Sequence, residues 1–163
     1  EEIKGLKNLV RAWLEIKRKK DWKLTVIGNG SLRDELKKVK EITVLDFIQP
    51  ELLVKEFDKA GCFILPSIIE PWALVIHEAA SARLPIIASD VCGAAPVFIT
   101  PNYNGYIFDS GDYKDLKQCM INIIDSSDDE LMKLSNNSFL KSKLITPSIV
   151  AASLVSVLKM NKK

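Results

Sequence analysis

Two carboxylates, Glu70 and Glu78, stand eight positions apart in the run Pro66-Ser67-Ile68-Ile69-Glu70-Pro71-Trp72-Ala73-Leu74-Val75-Ile76-His77-Glu78-Ala79-Ala80. Ionised carboxylates accept hydrogen bonds from hydroxyl groups and can move protons, so their surroundings decide their chemistry. Just before them, Cys62-Phe63-Ile64-Leu65 is an apolar run suited to a parallel strand buried on both faces, and Pro66 and Ser67 end it. Glu70 precedes Pro71, which biases it away from the helical region and keeps it extended in a loop. Pro71 suits the first turn of a helix. From about Ala73 to Arg83 the apolar residues Leu74, Val75, Ala79 and Ala82 recur with helical spacing, which puts Glu78 one to two turns inside. Backbone N–H groups of Ala73, Leu74 and Val75 then lie at the helix start, where unpaired donors and the helix dipole favour an anion. Two acids beside an anion site suit a ligand that carries both hydroxyls and phosphate. Open α/β sheets bind ligands at this strand-to-helix junction.

The rest of the chain alternates elements that would hold such a junction in place. Leu6, Leu9, Val10, Trp13 and Leu14 form the stripe of a helix packed on a sheet. Trp22 to Ile27 reads as a strand closed by Gly28-Asn29-Gly30, a turn whose glycines let backbone approach a ligand closely. Ser31 is placed to cap a helix through about Lys40, with Asp34 in its first turn. Strands are expected at 43–48, 61–65, 85–89 and 105–108, and helices at 50–59, 112–124, 130–141 and 147–160. Short strands alternating with helices predict an α/β fold, a Rossmann-like doubly wound parallel sheet flanked by helices.

Composition narrows the function classes. The chain has 163 residues, 47% of them hydrophobic, enough for one sizeable core and a single domain. A net charge of +2 offers no strong electrostatic partner, and the dense basic run Lys17-Arg18-Lys19-Lys20 suits the solvated end of a helix rather than a nucleic-acid surface. Cys62, Cys92 and Cys119 form no C-x-x-C and read as reduced thiols of a cytoplasmic protein. No segment reads as a signal peptide or a membrane span, which leaves peripheral membrane association open.

The stretch from Glu70 to Glu78, followed by Ala79-Ala80 and Leu84-Pro85-Ile86-Ile87-Ala88-Ser89-Asp90, resembles the signature of retaining glycosyltransferases of family 4, the glycosyl transferases group 1, which have the GT-B fold. Asn104-Gly105-Tyr106-Ile107-Phe108, Gly111-Asp112, Lys4-Gly5-Leu6 and Gly28-Asn29-Gly30 resemble further landmarks of that family, in the same order. The resemblance implies the C-terminal, donor-binding half of such an enzyme. Its Glu1-Glu2-Ile3-Lys4-Gly5 opening resembles the middle of a family motif, so the first strand and the acceptor-binding N-terminal domain are expected to precede it. In this reading Glu70 is the catalytic acid that contacts donor-sugar hydroxyls. Glu78 accepts from the ribose hydroxyls, and Lys4 meets the diphosphate. Leu74 and Val75 offer N–H groups to phosphate, while Gly28, Gly30, Trp72 and Ala73 complete donor binding. The resemblance further implies no metal and no cofactor, a nucleotide-sugar donor as substrate, and a glycan or lipid-linked acceptor held by the other half at the inner face of the membrane. The parent enzyme would transfer a glycosyl group with retention, and this half alone would be inactive.

Four positions depart from the family pattern. Ala73, Arg83 and Asp46 stand where it has glycine, and Val97 where it is commonly acidic. One methyl at Ala73 is tolerable if the local φ is negative, whereas Arg83 and Asp46 could each need φ > 0. His77, the sole histidine, reads as a partly buried or ligand-edge imidazole rather than a general base. Two other classes stay open: a GT-B enzyme of different chemistry, such as a nucleotide-sugar epimerase, and a non-catalytic binding module with a degraded pocket.

Overall fold

A computed structural model of the chain describes residues 2–146, 148–149 and 151–152. A 3₁₀ turn, Glu2–Lys4, leads into α1 (Leu6–Glu15), followed by β1 (Leu24–Ile27), α2 (Arg33–Leu36), β2 (Ile42–Leu45), α3 (Pro50–Phe57) and β3 (Phe63–Leu65). Then come α4 (Leu74–Ser81), β4 (Ile86–Ser89), α5 (Ala95–Phe98), β5 (Gly105–Phe108), α6 (Tyr113–Asp125) and α7 (Asp128–Ser142). The helix expected over 147–160 lies largely outside the described residues.

The five strands of the described residues pair in parallel throughout. They form a pair, β1–β2 with Leu24 opposite Ile42, and a triple, β3–β4–β5 with Phe63 opposite Ile86 and Ile86 opposite Gly105. Helices cover both faces, as the alternation of strand side chains requires. Ile87 faces one core with Leu9, Trp13, Met120 and Ile123 from α1 and α6. Its neighbours Ile86 and Ala88 face the other, with Phe57, Ile76, Ala79 and Phe98 from α3, α4 and α5. β4 is buried at all four residues, the pattern of a strand sandwiched between helix layers.

Local chemistry explains where expectation and structure part. The helix predicted to run from Ser31 to Lys40 is only α2, capped by Leu32 without a side-chain bond, so Ser31 does not cap it. Conversely α5 forms where no helix is expected: Pro96 sits in its first turn, where a missing N–H costs nothing. α7 starts earlier than the expected 130: Ser127 and Glu130 form a reciprocal capping box, with Ser127 N donating to Glu130 Oε2 at 2.8 Å.

Candidate functional site

The candidate site is built at the carboxyl ends of the strands. Beyond β3 the chain passes through buried Pro66 and Ser67 into the loop 68–73, and three sets of bonds fix that loop. Ser89 Oγ, at the end of β4, donates to Ser67 O at 2.6 Å. The amides of Ile68 and Ile69 donate to Ile3 O at 2.7 and 3.3 Å, and Ala94 N donates to Trp72 O at 2.8 Å. Two strand ends, the N-terminal turn and the loop before α5 therefore converge on Glu70.

Lys4 is brought to Glu70 by the same bonds. Its Nζ donates to Glu70 Oε2 at 2.6 Å, with the carboxylate side chain 16% exposed and the lysine 47%. Gly5 is the joint behind it. Its φ is +65°, and a Cβ there would overlap the Pro66 carbonyl oxygen, so only glycine lets the turn press this closely on the end of β3.

Ala73 caps α4 in the left-handed region, at φ 76° and ψ 69°. The condition under which its methyl was expected to be tolerable, a negative φ, is not met. A left-handed alanine costs on the order of 1 kcal/mol. No side chain caps α4, and Ile76 N donates to Ala73 O at 3.0 Å, so the amides of Leu74 and Val75 open the helix and present their N–H groups at its positive end. One turn further, Glu78 is exposed and its carboxylate makes no ion pair or hydrogen bond with any described residue.

Lys4, Gly28, Gly30 and Val75 line one cavity of about 1250 Å³, and Glu70 joins them through Lys4. Trp72, Leu74 and Glu78 are exposed and do not line it; Ala73 is buried. Across the opening, Gly28 has φ +135° and nothing within 4 Å of where its side chain would be, which leaves its backbone approachable. Phe47 N donates to Asn29 Oδ1 at 3.4 Å, and the Arg33 guanidinium pairs with the Asp46 carboxylate. These two links join the loops that follow β1 and β2. Asp46, read in the sequence as a lost glycine, does not have positive φ; it serves as the partner of Arg33. Arg83 does take the left-handed conformation, at φ 64°, with its guanidinium over the Phe139 ring at 4.0 Å.

Sequence reasoning missed Arg33 and the serine ties. Arg33 lies three residues beyond Gly30, and Ser67, Ser89 and Ser110 each stand at or near the end of a strand, where a hydroxyl or amide can join loops; that placement was the available signal. His77 is not at the opening. Its Nε2 donates to Ser142 O at 3.0 Å and its ring stacks on Phe98 at 4.5 Å, so it fastens α4 to α5 and α7. The three cysteines are free. Burial pushes all three thiols up, Cys119 to about 12 with help from the Asp115 charge. For Cys92 the Glu70 carboxylate adds to burial. Among the described residues no three His, Cys, Asp or Glu side chains gather as a metal cage, and no helix is long and apolar enough to cross a membrane.

Comparison with known proteins gives this arrangement a context. An uncharacterized glycosyltransferase of Methanocaldococcus jannaschii is 31% identical over 97 residues, 55% of this chain and 25% of that protein. The lipopolysaccharide 1,6-galactosyltransferase of Escherichia coli is 29% identical over 103 residues, 58% of this chain and 29% of that protein. The chain thus spans between a quarter and a third of these relatives' length. Among solved structures, sucrose-phosphate synthase from Thermosynechococcus elongatus matches 98% of this chain and 43% of its own, with a TM-score of 0.81 at 22% identity. Anabaena HepE, solved in complex with UDP, matches 98% of this chain and 46% of its own, at 0.80 and 16%. At these identities the structures speak for the fold, and it is the one expected of a GT-B half. The family profile described as Glycosyl transferases group 1 matches residues 1–140, nearly the whole of the described structure, and on that match the chain belongs to the group 1 glycosyl transferases.

Proposed function

We propose that this chain is the donor-binding half of a retaining glycosyltransferase and that the intact protein moves a sugar from a nucleoside diphosphate to a glycan or lipid-linked acceptor. The observation that carries the reading is the convergence of the Lys4–Glu70 pair and the uncapped start of α4 at one strand end. There Lys4 and the amides of Leu74 and Val75 would offset the diphosphate charge, and Glu78, whose carboxylate has no partner among the described residues, would accept from the ribose hydroxyls. Glu70 would hold a hydroxyl of the sugar next to the bond that breaks.

Such a site works by placement and charge. As the glycosidic bond to phosphate stretches, negative charge grows on the leaving diphosphate, where fixed donors stabilise it more than they stabilise the ground state. Among the described residues we read none at the opening as the nucleophile of a double displacement. A front-face route, with a diphosphate oxygen taking the acceptor proton, gives retention and balances the charge. A metal is not needed if Lys4 and the helix dipole carry that load. UDP is the first nucleotide to test, because the Anabaena structure was solved with it.

The test is the anomeric outcome in the intact protein. Proton NMR of the product, formed from a UDP-sugar in EDTA, is expected to show the donor's configuration retained, with turnover cut at least tenfold by Glu70→Gln and nucleotide affinity nearly unchanged. Inversion, or full turnover in that variant, would overturn the mechanism.

A further inference from the structure

Charge is not spread evenly along the chain. All 21 acidic residues and 17 of the 23 lysines and arginines fall within residues 1–130, whereas residues 131–163 hold six lysines and no acid. The change of sign occurs inside α7, whose first turn carries Asp128, Asp129 and Glu130 and whose later cations are Lys133, Lys141 and, at its cap, Lys143. One face of α7 is bonded to the body of the molecule: Asn137 Nδ2 donates to Tyr103 O, Ser138 Oγ donates to Asn104 O, and Ser142 O accepts from His77. A helix turns about 100° per residue, so Met132, Leu140 and Lys143 lie on the outer side. Met132 and Leu140 are 62% and 57% exposed, and Leu144, just past the helix, is 57% exposed. Lysines in a last turn suit the helix dipole, but the dipole does not explain large aliphatic side chains left in water beside them.

We infer that the outer face of α7 docks on the surface of an anionic bilayer, with its cations on headgroup phosphates and Leu140 and Leu144 in the acyl boundary. Charge complementarity sets the sign of the occupant. Among the described residues Arg83, Lys133, Lys141 and Lys143 have no carboxylate partner. Arg83 joins the face from the end of α4, and its guanidinium and the Lys143 ammonium lie 4.0 and 4.4 Å from the centre of the Phe139 ring. Two like charges gathered on one ring favour an anion beside them. The aliphatic side chains select a lipid surface, because contacts to the phosphates of a nucleic acid would leave Met132, Leu140 and Leu144 in water. The direction of α7 fits as well. Asn136 meets Arg83 beyond the last turn of α4, and Ser142 meets His77 nearer its start, so α7 climbs toward the carboxyl ends of the strands. Its basic, apolar end is thus on the side of the donor opening, and docking there would set that opening beside the membrane. The inference goes beyond the donor site and holds whichever nucleotide that site takes.

The test is flotation of the chain with vesicles of phosphatidylcholine alone and of phosphatidylcholine mixed with phosphatidylglycerol. Binding is expected on the mixed vesicles and not on the neutral ones, and it should fall as salt is raised. Lys143→Gln should weaken it about fivefold, the worth of one cation near an anionic surface. Leu140→Ser combined with Leu144→Ser should weaken it about tenfold or more. Lys55→Gln, the same loss of charge on the exposed side of α3, should leave it unchanged. All these positions are exposed, and thermal melts of the variants check that the fold is kept. Absence of binding, equal binding to neutral vesicles, binding that ignores the α7 substitutions, or an equal loss with Lys55→Gln would overturn the inference. So would a dimer in sedimentation equilibrium that the double serine variant dissociates and that mixed vesicles do not compete away, because the face would then belong to a second copy of the chain.

Discussion

Lys4 Nζ and Glu70 Oε2 lie 2.6 Å apart across 66 positions of sequence, one on the N-terminal turn and the other beyond β3. Their pairing keeps a cation and an acid at the opening before any ligand arrives. Both side chains are partly exposed, so the pair contributes at most about 1 kcal/mol to folding. Lys4→Ala is therefore expected to shift the melting temperature little and to weaken nucleoside diphosphate binding roughly tenfold to a hundredfold, the scale of a charge-assisted hydrogen bond. Calorimetry beside a thermal melt separates the two effects. Unchanged affinity would remove Lys4 from the site.

Glu78 supports a sharper prediction because it has no described partner to lose. Glu78→Gln should leave stability within about 0.5 kcal/mol, as surface changes do, and weaken nucleotide binding about tenfold. A nucleotide lacking its ribose hydroxyls should bind both forms alike. If the variant loses affinity for that analogue equally, the acid does not read the ribose.

Gly5→Ala should be among the most damaging single-methyl changes in the chain. It forces a left-handed alanine and drives its Cβ into the Pro66 carbonyl, so the turn must move away from β3 and take Lys4 with it. A loss of more than about 2 kcal/mol is expected from urea unfolding, with a parallel loss of nucleotide affinity. A silent substitution would mean that the turn is not pinned there.

Ala73 and Arg83 are both left-handed, yet glycine should affect them differently. At Ala73 glycine relieves on the order of 1 kcal/mol of backbone strain, partly offset by a more flexible unfolded chain, for a net gain of roughly 0.5 kcal/mol. At Arg83 the same relief is offset by loss of the ring contact with Phe139 and of the bond from Arg83 Nη1 to Asn136 Oδ1 at 3.0 Å. Its glycine variant should be neutral or worse. Urea midpoints of the two variants measure this directly, and a larger gain at Arg83 would reverse the ranking.

The cysteines set an alkaline limit. A thiol whose folded pKa is raised favours the folded state fully below the unfolded value of about 8.5, and that contribution is lost as pH rises toward the folded value. For Cys119 the window runs from about 8.5 to about 12. Stability should fall as pH rises from 9 to 11, less steeply in Cys119→Ala. The buried thiols of Cys92 and Cys119 should resist alkylation at pH 8 until the chain unfolds; fast labelling of both in the native protein would contradict their burial.

Much of this was legible in the sequence where side-chain type dictates geometry. The apolar run at 62–65, Pro71 after Glu70 and the helical spacing beyond it placed both acids at a strand-to-helix junction, and β5 fell at the expected Gly105–Phe108. Long-range and backbone facts were not legible. Nothing local announces that Lys4 reaches Glu70, that Asp46 answers Arg33, or that Ala73 adopts positive φ, because each depends on how distant segments pack. The division of the strands into two groups was likewise hidden, since alternating strands and helices specify parallel pairing but not which edges meet.

The most direct measurement is isothermal titration of the chain with UDP, GDP and ADP in EDTA, for the native sequence and for Glu78→Gln. The account predicts that one nucleotide binds without metal and that the substitution weakens it about tenfold. A cooperatively folded chain that binds none of them, or whose binding disappears in EDTA or ignores Glu78, would contradict it.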